Sequence, residues 1–196
     1  MLQPLSLPDA DLLWDPAWLA PGEADELFAA LLSQVPWETH RIRLFGAWRD
    51  SPRRSCWIGD PGAAYRYSGA RFEPHPWPDA LAAVRARLLE ATGTGFNSVL
   101  ANLYRDGGDS MGWHSDDEAE LGAQPVIASL SLGAPRRFVL RHRREPAQRL
   151  ALVLPHGSLL VMRAATQANF RHALPRSVRV NAPRINLTFR RIVAPA

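Results

Sequence analysis

The chain has 196 residues, of which 46% are hydrophobic and 21% charged, and its formal net charge is +4. This composition is typical of one soluble globular domain whose core needs no disulfide or structural metal. The sequence shows no apolar run that would cross a membrane and no secretory signal pattern, and its single cysteine, Cys56, excludes an internal disulfide and a cysteine-rich zinc site. We therefore expect a cytoplasmic protein, or a nuclear one in a eukaryote, that is a monomer without membrane contacts.

Residues 1–20 are rich in proline, leucine and tryptophan without a clear period, which predicts an extended arm packed on the body of the protein. Residues 21–34 predict a helix, because Pro21 suits a first helical turn and the acidic residues after it suit the positive end of the helix dipole. The predicted apolar stripe of this helix consists of Phe28, Leu31, Leu32 and Val35.

Prolines and glycines punctuate residues 36–76, where short strands are predicted at 39–45 and 64–67. A second helix is predicted from about Pro78 to Ala91, and the glycines of residues 92–95 end it. Its predicted apolar face consists of Leu81, Val84, Leu88 and Leu89.

After Gly95 the pattern changes to short strands separated by turns, which predicts a β-sandwich or barrel. Residues 143–148 are predicted to form the loop of a hairpin. The predicted strands are residues 97–104, 111–115, 126–132, 136–142, 149–154, 158–163, 169–173 and 184–192.

The last predicted strand has one polar and one apolar face. Arg184, Asn186, Thr188 and Arg190 alternate with Ile185, Leu187 and Phe189. The strands at 97–104 and 126–132 show the same alternation. One interpretation is an ordinary half-buried strand whose polar face lies in water. The other is that three polar faces look inward and line a cavity, while the two N-terminal helices cover the apolar faces.

The basic residues are all arginine, since the sequence contains no lysine. A GC-rich genome is the simpler explanation. The functional explanation is nucleic-acid contact, because guanidinium binds phosphate in a planar, bidentate fashion. Arginines cluster at 136–137, 141–144 and 53–54. Whether these clusters bind phosphate or form a solvated face stays open at the level of sequence.

His114-Ser115-Asp116 places an imidazole and a carboxylate two residues apart. On a β-strand such residues share a face, so the pair suits two adjacent positions on one metal ion. A third ligand would complete the two-histidine, one-carboxylate site of non-haem Fe(II) oxygenases. The pair alone is a weak signal, because it also arises by chance on protein surfaces. The sequence favours His172 modestly as the third ligand, since His156 lies in a tight turn typical of a structural residue.

Together these residues resemble the AlkB family of Fe(II)- and 2-oxoglutarate-dependent dioxygenases. The specific mark is the strand Arg184-x-Asn186-x-Thr188-Phe189-Arg190, whereas His114-x-Asp116 followed by His172 is shared with many other oxygenases. The resemblance covers about residues 41–192. Its likeness to the branch that repairs duplex DNA rests on Leu44-Phe45-Gly46, Asp60-x-Gly62, Tyr65-x-Tyr67-Ser68-Gly69, Asn102-x-Tyr104 and His114-x-Asp116-Asp117-Glu118.

The resemblance implies a mainly β (α+β) protein with flanking helices, built on a double-stranded β-helix, or jelly roll. Residues 1–95 would form an N-terminal extension with two helices and nucleotide-recognition hairpins. This extension would pack on a catalytic core of residues 96–196, the whole making one compact domain.

The resemblance also implies Fe(II), 2-oxoglutarate and dioxygen as cofactor and cosubstrates. His114, Asp116 and His172 would hold the iron, and Arg190 and Arg184 would each pair with one carboxylate of 2-oxoglutarate. Asn102, Tyr104, Asn186 and Thr188 would assist them. The implied reaction is oxidative demethylation, in which 2-oxoglutarate becomes succinate and the methyl group leaves as formaldehyde.

Alkylated DNA is the implied partner, with 1-methyladenine and 3-methylcytosine as substrates. Tyr67 would stack on the flipped base opposite the ring of His114, with Tyr65 lining the pocket and Asp117 and Glu118 favouring a cationic base. Phe45 would fill the gap that the base leaves. Arg53, Arg137, Arg141, Arg143 and Arg144 would contact phosphates.

Each substrate residue also has an ordinary structural explanation. Tyr65 and Tyr67 would simply pack on a strand, Asp117 and Glu118 would form a solvated turn, and Phe45 would sit in a buried hairpin. Two other functions stay open for the whole chain, namely an AlkB-type RNA demethylase and a nucleic-acid-binding relative without turnover.

Overall fold

The computed structural model describes residues 1–44, 47–67 and 70–193. Its helices are α1 (Pro21–Gln34), α2 (Ala82–Thr92) and the short α3 (Thr166–Asn169), with 3₁₀ turns at Asp79–Leu81 and Ala119–Leu121. The strands are β1 (Gln3–Leu5), β2 (Asp11–Asp15), β3 (Arg41–Leu44), β4 (Ala47–Asp50), β5 (Arg54–Gly59), β6 (Tyr65–Tyr67), β7 (Ala70–Phe72), β8 (Ser98–Tyr104), β9 (Met111–His114), β10 (Ile127–Gly133), β11 (Arg136–His142), β12 (Arg149–Leu154), β13 (Ser158–Arg163), β14 (Phe170–Leu174) and β15 (Arg184–Arg190).

Two antiparallel sheets face each other. The large sheet has seven strands in the order β1-β2-β13-β10-β15-β8-β5, and the small sheet has four in the order β12-β11-β14-β9. The pairs β3-β4 and β6-β7 form separate two-stranded sheets. This arrangement is the jelly roll expected from the sequence, and every strand predicted after Gly95 is present within about two residues.

The apolar face of the large sheet is covered by α1 and α2. Ala24, Leu27 and Leu31 of α1 pack with Val84 and Leu88 of α2 on the apolar residues of the central strands. A second apolar cluster, including Trp57, Phe138 and Phe170, fills part of the space between the two sheets. The helices therefore cover the apolar face of the sheet, as the sequence analysis expected. The polar faces of the central strands point into the interior of the molecule.

The bounds of α1 are those predicted, whereas α2 begins at Ala82 instead of near Pro78, because residues 79–81 form a separate 3₁₀ turn. Each predicted apolar stripe also contains one exposed residue. Leu32 and Leu89 are 37% and 50% exposed. The buried stripe of α1 runs through Ala24, Leu27, Leu31 and Val35, at spacings of three and four residues. Leu32 lies about 100° around the helix from Leu31, which turns it away from the sheet. Gly93 ends α2 with a φ of 69°, the left-handed conformation that favours glycine.

The N-terminal arm is part of the large sheet. β2 pairs with β13 and β1 pairs with β2, so residues predicted as an extended arm form the edge of this sheet. β5, whose residues the sequence analysis left between predicted strands, pairs along its whole length with β8. Residues before and after position 95 therefore contribute strands to one sheet. Among the described residues, no helix is long and apolar enough to cross a membrane.

Candidate metal and cosubstrate site

A cavity opens between the two sheets, at the polar faces of the central strands. Its lining residues are Leu100, Asn102, Tyr104, Met111, His114, Asp116, Ser129, Phe138, Met162, His172, Leu174, Arg184, Asn186, Thr188 and Arg190. The large sheet supplies polar groups from β8, β10 and β15, and the small sheet supplies the histidines. The inward-facing interpretation of the alternating strands is thus the correct one.

His114, Asp116 and His172 come together in this cavity. His172 on β14 is the direct cross-strand partner of His114 on β9, and their ring centroids are 4.2 Å apart. One ligand atom from each of the three residues lies within 4.8 Å of the others. Asp116 follows the end of β9 rather than lying on it, so the predicted shared strand face is not what brings it to His114. The residue that meets the pair is His172, while His156 accepts a hydrogen bond from the Gly133 N–H and stands outside the cavity lining.

The protonation of Asp116 and His172 suits metal binding. Burial would raise the pKa of Asp116, but the Arg190 guanidinium and the two imidazoles outweigh it and hold that pKa below its ordinary value. Burial, with the neighbouring His114, lowers the pKa of His172 to about 3, so this imidazole is neutral at pH 7. An ionised carboxylate and neutral imidazoles are the forms that coordinate a metal.

Backbone and side-chain contacts hold the ligands in place. Nδ1 of His114 donates a hydrogen bond to the Gly112 carbonyl oxygen at 2.9 Å, which fixes the orientation of the ring. The Asp116 N–H donates to Oε1 of Gln167 at 2.9 Å. The Ser115 hydroxyl donates to the Phe170 carbonyl and accepts from Arg143. Sequence reasoning missed Gln167, because a single glutamine between two predicted strands carries no periodic or motif signal.

Two buried arginines from β15 face the cavity. Arg190 donates from Nη2 to Oδ1 of Asp116. Arg184 donates from Nη2 to the Ser131 hydroxyl at 2.9 Å and lies 5.3 Å from the centre of the Tyr104 ring. Among the described residues Arg184 has no carboxylate partner, and its Nε has no hydrogen-bond acceptor. Burial lowers the pKa of Arg184 to about 10, which leaves it cationic at pH 7.

Comparison with known proteins agrees with this geometry. The family model of the 2OG-Fe(II) oxygenase superfamily matches residues 11–190. The chain belongs to this superfamily. Within it, the chain is 44% identical to DNA oxidative demethylase ALKBH2 of Homo sapiens, over 88% of this chain and 70% of that protein. It is 45% identical to ALKBH2 of Bos taurus, over 88% of this chain and 66% of that protein.

A second set of similar proteins carries the name alkB homolog 3. Alpha-ketoglutarate-dependent dioxygenase alkB homolog 3 of Homo sapiens is 40% identical over 90% of this chain and 64% of that protein. The chain thus spans about two thirds of the length of these relatives. It is an AlkB-family 2OG-Fe(II) dioxygenase.

Solved structures show the same fold at low identity. OsALKBH1 superposes with a TM-score of 0.59 at 15% identity, covering 97% of this chain and all of that one. A 2OG-Fe(II) oxygenase family oxidoreductase from Burkholderia pseudomallei gives 0.60 at 18% identity, covering 91% and 84%. These likenesses show that the AlkB-family chain has the jelly-roll oxygenase fold.

The site residues of this AlkB-family protein fit both Fe(II) and 2-oxoglutarate, the two groups in the name of its superfamily. Two imidazoles and a carboxylate are the donor set of non-haem Fe(II) sites. 2-Oxoglutarate is a dianion, and Arg184 offers a buried guanidinium whose Nε lacks an acceptor among the described residues. Ser129, Asn186 and Thr188 already form a hydrogen-bonded row beside it. A buried cation without an anionic partner is costly, and an anionic ligand at this point would remove that cost.

Arg53 does not lie where a phosphate contact needs to be. It is 5% exposed, and its guanidinium donates to Oδ1 of Asn102 at 2.7 Å and to the Ser51 hydroxyl at 3.0 Å. Arg53 immediately precedes β5, and its guanidinium is engaged inside the protein rather than on the surface where a phosphate contact was expected. By engaging the amide oxygen of Asn102, Arg53 leaves the amide NH₂ of Asn102 as a donor in the cavity.

The structure describes the side chains of some of the other predicted substrate residues. Arg143 forms an ion pair with Asp117, whose side chain is half exposed. Glu118 is partly buried, and Arg137, Arg141 and Arg144 are exposed. Phe45 lies outside the described residues. Tyr65 and Tyr67 belong to β6, but their side chains lie outside the part of the chain that the structure describes.

Proposed function

We propose that this protein oxidatively demethylates N-alkylated bases, above all 1-methyladenine and 3-methylcytosine, in DNA. In this proposal 2-oxoglutarate is converted to succinate and the methyl group is released as formaldehyde. The observation that carries the proposal is a metal-type donor set and an unpaired buried cation facing the same cavity. The relatives named DNA oxidative demethylase support DNA as the substrate.

The proposed roles follow from charge and position. His114, Asp116 and His172 hold Fe(II), and Arg184 binds one carboxylate of 2-oxoglutarate. Arg190, which neutralises Asp116, faces the other carboxylate, with Asn102, Tyr104, Asn186 and Thr188 as hydrogen-bonding partners. When bound, iron with 2-oxoglutarate and dioxygen supplies the oxidising chemistry that removes the methyl group. The chain's own contribution is to fix these groups in a cavity that the two sheets shield from bulk water.

On the substrate side we propose that a base leaves the DNA stack to reach the cavity mouth. Tyr67 stacks on it opposite the His114 ring, Tyr65 lines the pocket, and Asp117 and Glu118 favour a cationic base. The ion pair between Arg143 and Asp117 holds that carboxylate beside Ser115 at the rim of the metal site. Residues 1–95 supply the hairpins β3-β4 and β6-β7 for nucleotide recognition, with Phe45 between β3 and β4 as the wedge.

The experiment is a panel of DNA and RNA oligonucleotides, single-stranded and duplex, each carrying one methylated base. Mass spectrometry reads the loss of the methyl group, and succinate is measured in the same reaction. We expect turnover on methylated DNA that requires Fe(II) and 2-oxoglutarate. Turnover on RNA alone would establish an RNA demethylase, and binding without succinate formation would establish a non-catalytic relative.

A substitution of Phe45 distinguishes its two possible roles, a wedge inserted into the DNA duplex and a residue packed in the protein core. Phe45→Ala should strongly lower repair of duplex 1-methyladenine and leave single-stranded repair nearly intact, because only the duplex has a partner strand to open. Equal losses on both substrates with a lowered melting temperature would show that Phe45 is a buried packing residue instead. Truncation of such a residue costs about 3–5 kcal/mol of stability.

A further inference from the structure

The outer face of the small sheet carries a row of like charges. Arg141 on β11 is the direct cross-strand partner of Arg149 on β12 and of Arg171 on β14. The side chains of directly opposed residues in an antiparallel pair point to the same side of the sheet, and their Cβ atoms are about 4.5–5.5 Å apart. Like charges in that position are destabilising, so the row has a cost that an anion lying on it would relieve.

The charges on this face are not balanced by acids. The four strands β9, β11, β12 and β14 contain no aspartate or glutamate. Arg137, Arg141, Arg149 and Arg171 are exposed, and among the described residues none of them forms an ion pair with a carboxylate. The pair that Arg143 makes with Asp117 lies beyond the end of β11, at the rim of the metal site. Polyanion binding is what such an unbalanced surface favours.

A tryptophan lies on the same face. Trp113 is 44% exposed, and the guanidinium of Arg141 stacks over its ring at 4.6 Å from the centroid. Together with Arg137, Arg149, Val139 and Ala151, these two residues line a groove across the sheet. An exposed indole beside a guanidinium offers an aromatic surface and a cation, the combination that binds an unpaired base and its phosphate.

The groove is next to the metal site in the chain and in space. Trp113 immediately precedes His114 on β9, and successive residues of a strand point to opposite faces. β9 is the edge strand of the small sheet. A nucleic-acid strand with one base in the cavity therefore needs only to pass around this edge to reach Trp113.

We propose that the outer face of the small sheet binds unpaired single-stranded DNA, with a base stacked on Trp113 and phosphates on Arg141, Arg149 and Arg171. The inference rests on the proposed function, which makes DNA the substrate. It adds a second binding surface outside the cavity, and it assigns that surface a preference for a single strand. A duplex keeps its bases stacked within the helix and offers the indole none of them.

The test measures binding of fluorescein-labelled (dT)₁₂ by fluorescence anisotropy, beside a duplex of the same length. Trp113→Leu keeps apolar bulk but removes the aromatic face, and we expect it to raise the Kd for the single strand at least about fivefold. Trp113→Phe keeps a ring and should retain most of the affinity. The duplex Kd should change little in either variant. Leu89→Ala, an exposed leucine on α2, is the matched control and should bind as the unaltered protein does.

A second measurement tests the arginine row independently of Trp113. Replacing Arg141, Arg149 and Arg171 by glutamine should make the log–log salt dependence of (dT)₁₂ binding shallower by about 0.7 per arginine. Thermal melting of each variant shows whether the fold is kept.

The possible results separate this inference from the proposed function. Unaltered protein that demethylates DNA but binds (dT)₁₂ no better than Trp113→Leu does would overturn the stacking surface alone. An equal loss on single strand and duplex, or an unchanged salt slope, would also overturn it. Unaltered protein that neither binds nor demethylates any oligonucleotide would overturn both.

Discussion

The two ends of β15 place the same residue type in the same cavity under different electrostatic conditions. Arg184 and Arg190 are each 2% exposed. Arg190 contacts Asp116, so its charge is balanced within the protein. Arg184 donates to the Ser131 hydroxyl and lies against Tyr104, so among the described residues no carboxylate balances its charge. Arg190 therefore belongs with the metal-type donor set, whereas the charge of Arg184 is one that an anionic ligand would balance.

The neighbourhood of Arg184 strengthens this contrast. Arg136 is also 2% exposed, and it donates to the carbonyl oxygens of Asp106, Asp109 and Pro175 at 2.8–2.9 Å. Its guanidinium lies 5.9 Å from the centre of the Tyr104 ring, with Arg184 also near that ring. Two buried cations thus share one tyrosine at this end of the cavity. Such a concentration of positive charge favours an anionic ligand.

The largest expected effect comes from removing a metal-coordinating side chain near Arg190, at one end of β15. Asp116→Ala and His172→Ala should each reduce bound iron and 2-oxoglutarate turnover to background, because no other side chain of the site can replace a donor. Iron content of the purified protein and succinate formation measure this. His156→Ala, which alters a histidine outside the cavity lining, is the control. Iron retained by His172→Ala but lost from His156→Ala would contradict the assignment.

Removing Arg190 should cost both stability and cosubstrate binding. Arg190→Ala leaves the buried Asp116 carboxylate without its cation, a change that costs about 3–5 kcal/mol of unfolding free energy. Urea unfolding of the metal-free protein measures the loss, and calorimetry measures 2-oxoglutarate affinity. The neighbouring Arg191 is exposed, so Arg191→Ala should leave both quantities near those of the unaltered protein. Equal effects from the two substitutions would remove the contrast between the ends of β15.

Removing Arg184 should affect binding without a comparable loss of stability. Arg184→Gln deletes a buried charge that has no carboxylate partner among the described residues, so we expect the metal-free protein to unfold at an equal or higher urea concentration. Binding of 2-oxoglutarate should weaken by about 1.5–3 kcal/mol, since a charge-assisted hydrogen bond is lost. A variant with unaltered 2-oxoglutarate affinity, or with the stability loss expected for Arg190→Ala, would sink this interpretation.

His172 also imposes a pH dependence on the stability of the metal-free protein, which is small near neutral pH. Its pKa of about 3 in the folded state lies below its ordinary value of 6.5. The folded state therefore binds fewer protons than the unfolded state between these values. Stability should be complete above pH 6.5 and should fall as the pH drops toward 3, by up to about 1.4 kcal/mol per pH unit.

Urea unfolding with a chelator at pH 7, 6 and 5 measures this dependence. His172→Gln removes the titrating group and should flatten the curve in that range. If the variant and the unaltered protein lose stability in parallel, then groups other than His172 set the acid sensitivity.

Most of the secondary structure and the polar lining of the cavity could be predicted from local sequence patterns. The bounds of α1, β11, β12 and β13 agree with those predicted, because periods of two and 3.6 residues are local properties of the chain. The alternation along β15 likewise placed Arg184, Asn186, Thr188 and Arg190 on one face before any partner strand was known. The resemblance carried by that strand then led to the family.

Which distant residues come into contact depends on the tertiary fold. The β9-β14 register selects His172 over His156, and Gln167 reaches Asp116 from another part of the chain. The fold also buries Arg53, just before β5, as a hydrogen-bond partner of Asn102, although the sequence predicted an exposed phosphate contact. Strand register also aligns Arg141 with Arg149 and Arg171 on a single face. The physical reason is that cross-strand pairing and burial depend on long-range contacts, which no local period or spacing encodes.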